Sequence, residues 1–340
     1  MVDRKLATAR RILSIEEHPN AVRLEIATIL GWRCIIGKGD FVKDQLVLWL
    51  EIDSWVPTEL APFLTKPGHS PKEFEGIKGE RLRSAKLRSI LSQGLILSLP
   101  GGEFKEGDDL TELLGIKFWE RPVAANMRGQ IEGSFPYFIR RTKQERVQNI
   151  PEVLLDTETL YEVSLKVDGS SITIFQKDGV IGVCSHNIYL KNTEENSGNA
   201  FIAAAKTSGI IEALQADGRN LAVQGELAGP NIQKNRAGFK DVQIYIFDIW
   251  NIETQQYLSK EERSEFCSAY NLIHIPITHN KISLANLSIN NMAAILALPD
   301  SFGLLYFPMI NQPIEGLVFK AIDGSKSFKV INNTYLLKEE

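Results

Sequence analysis

The sequence predicts an α+β protein, with an N-terminal β-barrel followed by a larger domain of antiparallel sheets and flanking helices. Its 340 residues suffice for about two domains with separate cores. In the first 118 residues, β-rich segments recur roughly every 8–12 residues. From Tyr161 onward, strand-like and helix-like patterns mix. We therefore expect a barrel domain over 1–118, a connector over 119–134 and a second domain over 135–340.

The first domain is predicted from short apolar segments separated by Gly, Asn and Pro. Strands are expected at Ala7–Glu16, Val22–Ile29, Trp32–Ile36, Gln45–Ile52 and Leu91–Leu99. The stretch from His18 to Leu24 resembles the opening of OB-type tRNA-binding modules, which implies a groove for single strands or duplex backbone. A purely structural β-domain is the alternative that this stretch leaves open.

The segment Phe135–Gln148 combines aromatic residues with four basic ones. It is the best local candidate for contact with phosphate groups. A solvated, charged linker is the alternative interpretation.

The second domain is predicted from seven strands and three helices. The strands are expected at Tyr161–Asp168, Ser170–Gln176, Val180–Ser185, Leu221–Glu226, Val242–Trp250, Gly316–Ala321 and Ser327–Ile331. The helices are expected at Gly198–Ala216, at Lys260–Tyr270 and from Ser288 to Leu298. Ser259 and Glu262 have the spacing of a capping box, which favours a helix start there.

Composition excludes several classes of protein. No apolar run of 18 residues is present, so no membrane span is expected. The N-terminus lacks the apolar core of a secretion signal, and three scattered cysteines suit a reducing compartment. We therefore expect a cytoplasmic protein, or a nuclear one in a eukaryote. The net charge of −4 means that a nucleic acid would have to be bound by local basic patches.

The segment from Tyr161 to Gln176 alternates in polarity and is interrupted at Gly169, a pattern typical of strand, tight turn and strand. Lys166 and Asp168 are two residues apart, so they are expected to share one face. An amine beside a carboxylate at a strand end is a candidate nucleophile with an electrostatic partner. A solvated hairpin end is the simpler interpretation of these residues alone.

The pair Asp323-Gly324 predicts a two-residue hairpin turn. With that turn, Val318 faces Lys329, and Lys320 and Lys329 lie diagonally on one face. Two lysines so placed could converge on one anion, although an exposed basic hairpin is also common.

Four further stretches accompany Lys166 along the chain. They are Ser185-His186-Asn187, Gln224–Pro230, Gln243–Ile249, and Glu315–Lys320 with its continuation to Lys329. In order and spacing, they resemble the signature motifs of covalent nucleotidyltransferases, which include ATP-dependent ligases and mRNA capping enzymes. The forms Lys-x-Asp-Gly-Ser-Ser, Gly-Glu-Leu-x-Gly-Pro, Phe-Asp-Ile and Glu-Gly-Leu-Val-Phe-Lys, behind an OB-like domain, resemble the Deinococcus/Naegleria-type RNA ligases.

The resemblance implies an ATP-dependent RNA ligase that uses Mg²⁺ or Mn²⁺ and seals nicked duplex RNA or an RNA/DNA hybrid as a monomer. It implies Lys166 as the nucleophile that becomes adenylated, with a metal held by Asp168, Glu226 and Glu315. Phe247 would stack on adenine, with Tyr245 as second choice, and Lys320 and Lys329 would neutralise the α-phosphate. The remaining nucleotide contacts implied are Glu162, Ser170 or Ser171, and His186.

Two positions depart from the family pattern. His186 stands where the family usually has Arg, and imidazole is only partly charged near neutral pH. The last motif often has the form Lys-x-Lys, whereas here it is Ser327-Phe328-Lys329.

The chemistry places a condition on Lys166. A free lysine has a pKa of about 10.4 and is not nucleophilic at neutral pH. Asp168 alone favours the ammonium form, whereas a divalent cation near the amine favours the neutral form. The alternatives left open are a DNA ligase, a capping-type nucleotidyltransferase and a non-catalytic RNA-binding protein on the same scaffold.

Overall fold

The computed structural model describes residues 4–120, 129–302 and 313–338. The chain divides into two compact units, Met1–Pro122 with Leu336–Glu340, and Val123–Tyr335. The predicted connector over 119–134 includes residues 121–128, which lie outside the described residues. The domain boundaries predicted from the sequence therefore stay a prediction.

The described part of the first unit is built from short strands. In chain order they are β1 (Ala7–Arg11), β2 (Ser14–Glu17), β3 (Leu24–Ile29), β4 (Trp32–Gly37), β5 (Leu46–Leu50), β6 (Ser54–Pro57), β7 (Lys72–Phe74), β8 (Ile77–Arg81), β9 (Ala85–Leu87), β10 (Ile90–Ser92), β11 (Leu95–Leu97) and β12 (Lys117–Phe118). They form antiparallel sheets in the orders β1-β5-β11, β2-β3-β4, β12-β6-β8-β7 and β10-β9. Trp32 and Leu48 are fully buried, so these sheets enclose an apolar core.

Two strands predicted in this unit are each divided in the structure. The segment Ala7–Glu16 forms β1 and β2, with the buried Ile12 between them. The segment Leu91–Leu99 is divided at Gly94, which has φ of +112°. A Cβ on Gly94 would lie 2.7 Å from the indole nitrogen of Trp49, so close packing also favours glycine here.

The described part of the second unit mixes strands and helices. The strands are β13 (Ile131–Ser134), β14 (Glu145–Arg146), β15 (Leu160–Lys166), β16 (Ser170–Lys177), β17 (Val180–Cys184), β18 (Ile188–Leu190), β19 (Leu221–Ala228), β20 (Gln243–Asn251), β21 (Gln256–Tyr257), β22 (Ile277–Ser283), β23 (Gly316–Ala321) and β24 (Ser327–Ile331). The helices are α1 (Ala200–Thr207), α2 (Ile210–Asp217), α3 (Lys260–Ala269), α4 (Met292–Ala297) and α5 (Asn333–Leu337).

Two sheets organise this unit. The seven-stranded sheet has the order β13-β18-β17-β16-β19-β20-β21, and the five-stranded sheet has the order β14-β24-β23-β15-β22. The β14–β24 pair is parallel, while β15, β16, β19, β20 and β23 pair antiparallel with their neighbours. The prediction of antiparallel sheets flanked by helices agrees with this architecture.

The chain passes from one sheet to the other directly after Lys166. Although a strand, a turn and a strand were predicted here, β15 and β16 do not pair with each other, because β15 belongs to the five-stranded sheet and β16 to the seven-stranded one. Gly169 lies at the crossing, where an added Cβ would lie 2.3 Å from the carbonyl oxygen of Leu227. The glycine is thus required by the close approach of two backbones.

The helices follow the sequence signals with one correction. The single helix predicted over Gly198–Ala216 is two helices, α1 and α2, because Gly209 adopts φ of +76° between them. The predicted capping box is present at the start of α3, where Ser259 and Glu262 bond to each other's backbone N–H groups. None of the described helices is long and apolar enough to span a lipid bilayer.

Alternation along β15 determines which side chains reach the site. Tyr161, Val163 and Leu165 are buried in the apolar core of the five-stranded sheet. Glu162 and Lys166 therefore point to the opposite face, together with the residues that pair with them on β23.

Candidate active site

Lys166 lies at the end of β15 and contacts a glutamate from the neighbouring strand. Its Nζ donates to Glu315 Oε1 at 2.6 Å. The contact follows from register, because Lys166 pairs with Gly316, the first residue of β23. Both side chains are partly buried, so the pair is shielded from water without being closed off from it.

Glu226 brings a second carboxylate to Lys166 from the seven-stranded sheet. It lies on β19 opposite Ser171, next to the crossing at Gly169. Burial raises the pKa of Glu226 to about 8, with Lys166 opposing the rise and the charges of Glu315 and Asp168 adding to it. The three carboxylates thus form one electrostatically coupled group.

The amine of Lys166 is held as an ammonium ion in this arrangement. Burial lowers its pKa, but Glu315, Glu226 and Asp168 together outweigh burial, and the net shift is upward. This direction agrees with the expectation that carboxylates alone keep the lysine protonated.

The donor set is suited to a divalent cation, since three carboxylates face a single ammonium and carboxylates are preferred ligands of Mg²⁺. Within residues 4–120, 129–302 and 313–338, no group of three or more His, Cys, Asp or Glu side chains is arranged to hold a metal ion. The assignment of a metal to Asp168, Glu226 and Glu315 therefore stays a prediction that the donor chemistry favours.

A cleft beside Lys166 contains two side chains that the sequence analysis did not assign. Arg236 and Tyr335 line it together with Lys166 and Asp168. The Arg236 guanidinium lies 4.6 Å from the centroid of the Tyr335 ring, and burial together with the neighbouring Asp168 raises the pKa of the Tyr335 hydroxyl. Neither residue belongs to one of the recognised stretches, so only the folded chain reveals them.

Lys320 occupies the same face of the five-stranded sheet and contacts the other sheet. Its Nζ donates to the carbonyl oxygen of Phe247 at 2.7 Å and to Asp248 Oδ1 at 2.6 Å. Burial lowers the pKa of Lys320, and the nearby Arg263 adds to the decrease, while Asp248 opposes it.

A β-bulge in β20 turns the side chain of Asp248 toward Lys320. Gln224 pairs with Asp248 and Gly225 pairs with Ile246, so Phe247 is the extra residue. Ile246 and Ile249 both pack into the core of the seven-stranded sheet, which leaves Phe247 and Asp248 between them. Strict alternation places Asp248 on the face of Ile246, so the sequence analysis missed its role.

The predicted hairpin register is present, but the turn itself differs. The N–H of Gly324 bonds to the carbonyl oxygen of Ala321, so Ile322 and Asp323 are its central residues. Gly324 follows with φ of +73°. Val318 pairs with Lys329 and Lys320 pairs with Ser327, which places Lys320 and Lys329 on one face. Lys326 forms an ion pair with Asp156 at 2.8 Å. The convergence of Lys320 and Lys329 on one phosphate stays a prediction.

The aromatic candidates Phe247 and Tyr245 pack in one small cluster with Val167. The Tyr245 ring lies 5.3 Å from that of Phe239, and Lys320 Nζ lies 5.8 Å from the Phe247 ring centroid. Phe247 thus lies beside Lys320 and is partly buried, and its stacking on adenine stays a prediction.

The remaining predicted contacts lie at different places. Glu162 is 4% exposed and pairs with Arg263 on α3. Ser171 lies opposite Glu226 on β16. His186 lies in the turn between β17 and β18, beside Asn187. The structure brings Lys166, Asp168, Glu226 and Glu315 together. It places Glu162 opposite Lys320 on the same face, four residues before Lys166 on β15.

Comparison with known proteins decides the family. A model described as RNA ligase matches residues 159–331, and a model described as an OB-fold domain matches residues 6–99. Structures of Naegleria gruberi RNA ligase are 39–40% identical to this chain and cover 99% of both chains. The chain belongs to the RNA ligase family. The predicted resemblance, the OB-fold domain followed by a ligase domain, and the class of enzyme are thereby confirmed.

Three of these Naegleria structures contain different ligands. A variant with AMP and Mn matches this ligase with a TM-score of 0.83, the protein with pyrophosphate with 0.82, and a variant with ATP and Mn with 0.82. A comparison with curated proteins found no match.

Proposed function

We propose that this RNA ligase uses ATP and a divalent cation to seal nicks with 3′-hydroxyl and 5′-phosphate ends in duplex RNA or an RNA/DNA hybrid. The observation that carries the proposal is Lys166, which lies at the junction of two sheets within a group of three carboxylates. The complexes of the Naegleria ligase with ATP and Mn and with AMP and Mn support this assignment of substrate and metal.

In the first step, the neutral amine of Lys166 attacks the α-phosphorus of ATP. A phosphoramidate bond forms, the bond to the bridging oxygen breaks, pyrophosphate leaves, and the lysine loses a proton. Because such displacements depend on positioning and charge neutralisation, Lys166 must be held in line with the leaving group.

In the second step, a 5′-phosphate oxygen attacks the phosphorus of the lysyl adenylate and the amine of Lys166 leaves. In the third step, the 3′-hydroxyl attacks the activated 5′-phosphorus, AMP leaves, and a phosphodiester bond forms. Each step exchanges one bond at phosphorus for another, with no net oxidation or reduction.

Asp168, Glu226 and Glu315 would hold Mg²⁺ or Mn²⁺. When bound, the ion supplies positive charge that lowers the pKa of a nearby amine and offsets the charge of phosphate groups. The three carboxylates retain a role of their own, because they position the ammonium of Lys166 before the nucleotide binds.

The other side chains bind and orient the nucleotide. Lys320 and Lys329 contact the α-phosphate, and Phe247 stacks on the adenine. Contacts from Glu162, Ser171 and His186 complete the nucleotide site. Lys320 has three ammonium hydrogens, of which Phe247 and Asp248 take two, so one is left to donate to a phosphate oxygen.

The two parts of the chain divide the work in this proposal. Residues 1–118 contact the nucleic acid as an OB-fold domain, residues 119–134 connect, and residues 135–340 carry out adenylation as a monomer. Deletion of residues 1–118 is expected to preserve labelling by ATP and to weaken nick sealing. Equal sealing by the truncated chain would reject the nucleic-acid role of that domain.

The decisive experiment incubates the purified ligase with α-labelled ATP and Mg²⁺, and then with a nicked RNA duplex. We expect labelled protein, transfer of labelled AMP to the 5′-phosphate end, and a sealed strand. Parallel reactions with GTP, and with DNA at the 3′-hydroxyl side, distinguish a capping-type enzyme and a DNA ligase. A protein that takes up no label with any nucleotide would contradict the proposal.

A further inference from the structure

A second group of charged side chains lies apart from the carboxylates around Lys166. It connects the two sheets with helix α3 and consists of Glu162, Asp248, Arg263, His274 and Lys320. We call it the Arg263 network. Arg263 is only 3% exposed, although it lies on a helix that is otherwise rich in charged, solvent-facing residues. A buried arginine requires partners, so its contacts indicate what it holds.

Each nitrogen of the Arg263 guanidinium faces an acceptor. Nη2 donates to Glu162 Oε1, and Nη1 lies 3.6 Å from Asp248 Oδ1. Nε donates to His274 Nε2 at 2.8 Å. The rigid, planar guanidinium thereby fixes one residue from the five-stranded sheet and one from the seven-stranded sheet at once.

His274 accepts from Arg263 because its proton is held on the other ring nitrogen. Nδ1 lies 2.7 Å from the carbonyl oxygen of Ile275, which can only accept, so Nδ1 carries the proton and Nε2 is the acceptor. Burial, followed by the charge of Arg263, lowers the pKa of His274. A neutral imidazole in this tautomer is the form that can receive the Arg263 hydrogen bond.

The start of α3 fixes where Arg263 points. Ser259 caps the helix, and the backbone N–H of Arg263 bonds to the carbonyl oxygen of Ser259 at 2.9 Å in the first turn. The capping box with Glu262 fixes where α3 begins, and therefore the position from which the Arg263 guanidinium reaches its partners.

Arg263 changes what Lys320 can bind. Glu162 is directly opposite Lys320 in the strand register, where an unpaired carboxylate would attract the ammonium. Because Arg263 neutralises Glu162, Lys320 bonds instead to Asp248 and the carbonyl of Phe247. Two carboxylates balance two cations, so an entering phosphate meets no uncompensated negative charge there.

We infer that Arg263 is a positioning residue, which holds Glu162 and Asp248 so that Lys320 presents its remaining N–H to the nucleotide phosphate. Arg263 does not contact the nucleotide itself. The inference rests on the proposed function, because it assigns Arg263 a part in the adenylation of Lys166. It implies that most of the effect of Arg263 on the rate of adenylation passes through Lys320, and the remainder through Glu162, its other partner.

The test measures single-turnover adenylation with α-labelled ATP over a range of ATP concentrations. Arg263→Met removes the charge and keeps the length, Arg263→Lys keeps the charge, and Arg219→Met is the matched control. Arg219 pairs with Asp217 at 2.8 Å on the surface, with about half of its side chain exposed. We expect Arg263→Met to lower the maximal rate about 100-fold through displacement of Lys320, with partial recovery in Arg263→Lys and no change in Arg219→Met.

A double-mutant cycle separates positioning from general loss of structure. In a Lys320→Met background, Arg263→Met should cause a much smaller further loss of rate, because the main residue through which it acts is already gone. Equal losses in both backgrounds would overturn the inference, as would a wild-type rate in Arg263→Met alone. Absence of labelling in the wild-type protein would instead reject the proposed function.

Two variants of His274 test the same inference if Arg263→Met does not fold. His274→Leu removes the acceptor of the Arg263 Nε hydrogen bond, whereas His274→Gln keeps an acceptor. We expect His274→Leu to slow adenylation by more than His274→Gln, and the difference to be much smaller in the Lys320→Met background. Equal rates in the two His274 variants would overturn the inference by an independent route.

Discussion

Lys166 and Lys320 lie on adjacent strands of one sheet and on the same face, yet their surroundings shift the two pKa values in opposite directions. At Lys166, burial is outweighed by three carboxylates, and the pKa is raised. At Lys320, burial prevails, and the pKa is lowered in spite of Asp248. The ligase thus places an excess of negative charge at one lysine and a balanced set of charges at the other.

The difference indicates what positions each lysine and what offsets the charges around it. The Arg263 network is balanced in charge without any ligand, so Lys320 is positioned by the fold itself. Around Lys166, carboxyl groups outnumber the cationic side chains, and a bound cation would offset their charge and lower the pKa of the amine. The predictions below separate these two situations, beginning with the largest effect.

Lys166→Ala should abolish the covalent labelling of the protein by α-labelled ATP, because it removes the amine that lies against Glu315. Labelling is measured on a denaturing gel, and mass spectrometry locates the adenylate in the wild-type protein. Persistent labelling of the variant at wild-type stoichiometry would remove Lys166 from the role of nucleophile.

Chelation of divalent metal should also stop adenylation, and added Mg²⁺ or Mn²⁺ should restore it. The melting temperature of the protein is followed in parallel, so that loss of adenylation can be distinguished from loss of the fold. Label transfer and thermal unfolding are measured on the same samples. Full adenylation in the chelator would show that Lys166 is neutralised without a metal.

Asp248→Asn should weaken the Arg263 network by leaving the buried charges of Arg263 and Lys320 without one partner. Removal of one member of a buried ion pair costs about 3–5 kcal/mol of unfolding free energy. Asp248 has about a tenth of its side chain exposed, so little of this loss is recovered from water. Urea unfolding measures the change, and an unchanged midpoint would mean that the network contributes nothing to stability.

Glu226→Gln should change how the stability of the nucleotide-free protein depends on pH. Burial raises the pKa of Glu226 to about 8, so the folded protein favours the protonated side chain. The stability that this preference contributes is fully present below the pKa of Glu226 in the unfolded chain and is lost as pH rises toward 8. The wild-type protein should therefore lose stability between about pH 5 and pH 8 relative to the variant. Parallel pH profiles of the urea midpoint would show that Glu226 does not titrate in this range.

Lys326→Met provides the smallest expected effect. Lys326 forms an exposed ion pair with Asp156, and such pairs contribute little to stability. We expect the melting temperature and the adenylation rate to remain at wild-type values. A large loss of adenylation in this variant would indicate that Lys326, adjacent to the last motif, acts in the site after all.

Sequence patterns were reliable where a local signal sets geometry. The turn that contains Asp323 fixed the register that places Lys320 and Lys329 on one face, and Ser259 with Glu262 fixed the start of α3. Alternation identified β15 and its polar face. These features depend on residues close in the chain, whose spacing determines which side chains meet.

The rest depends on contacts between distant residues. Nothing local signals that β15 and β16 join different sheets, or that a bulge at Phe247 turns Asp248 toward Lys320. Arg263 lies within a correctly predicted helix, but its burial follows from Glu162, which is 101 positions away. Arg236 and Tyr335 likewise reach the cleft only through tertiary packing.

The crossing at Gly169 puts Lys166 on one sheet and Glu226 on the other. A bound adenine nucleotide would therefore contact both sheets, and its binding free energy would add to the free energy needed to separate them. The rise in melting temperature caused by ATP would then report whether the two sheets are correctly packed, even in variants that catalyse no reaction.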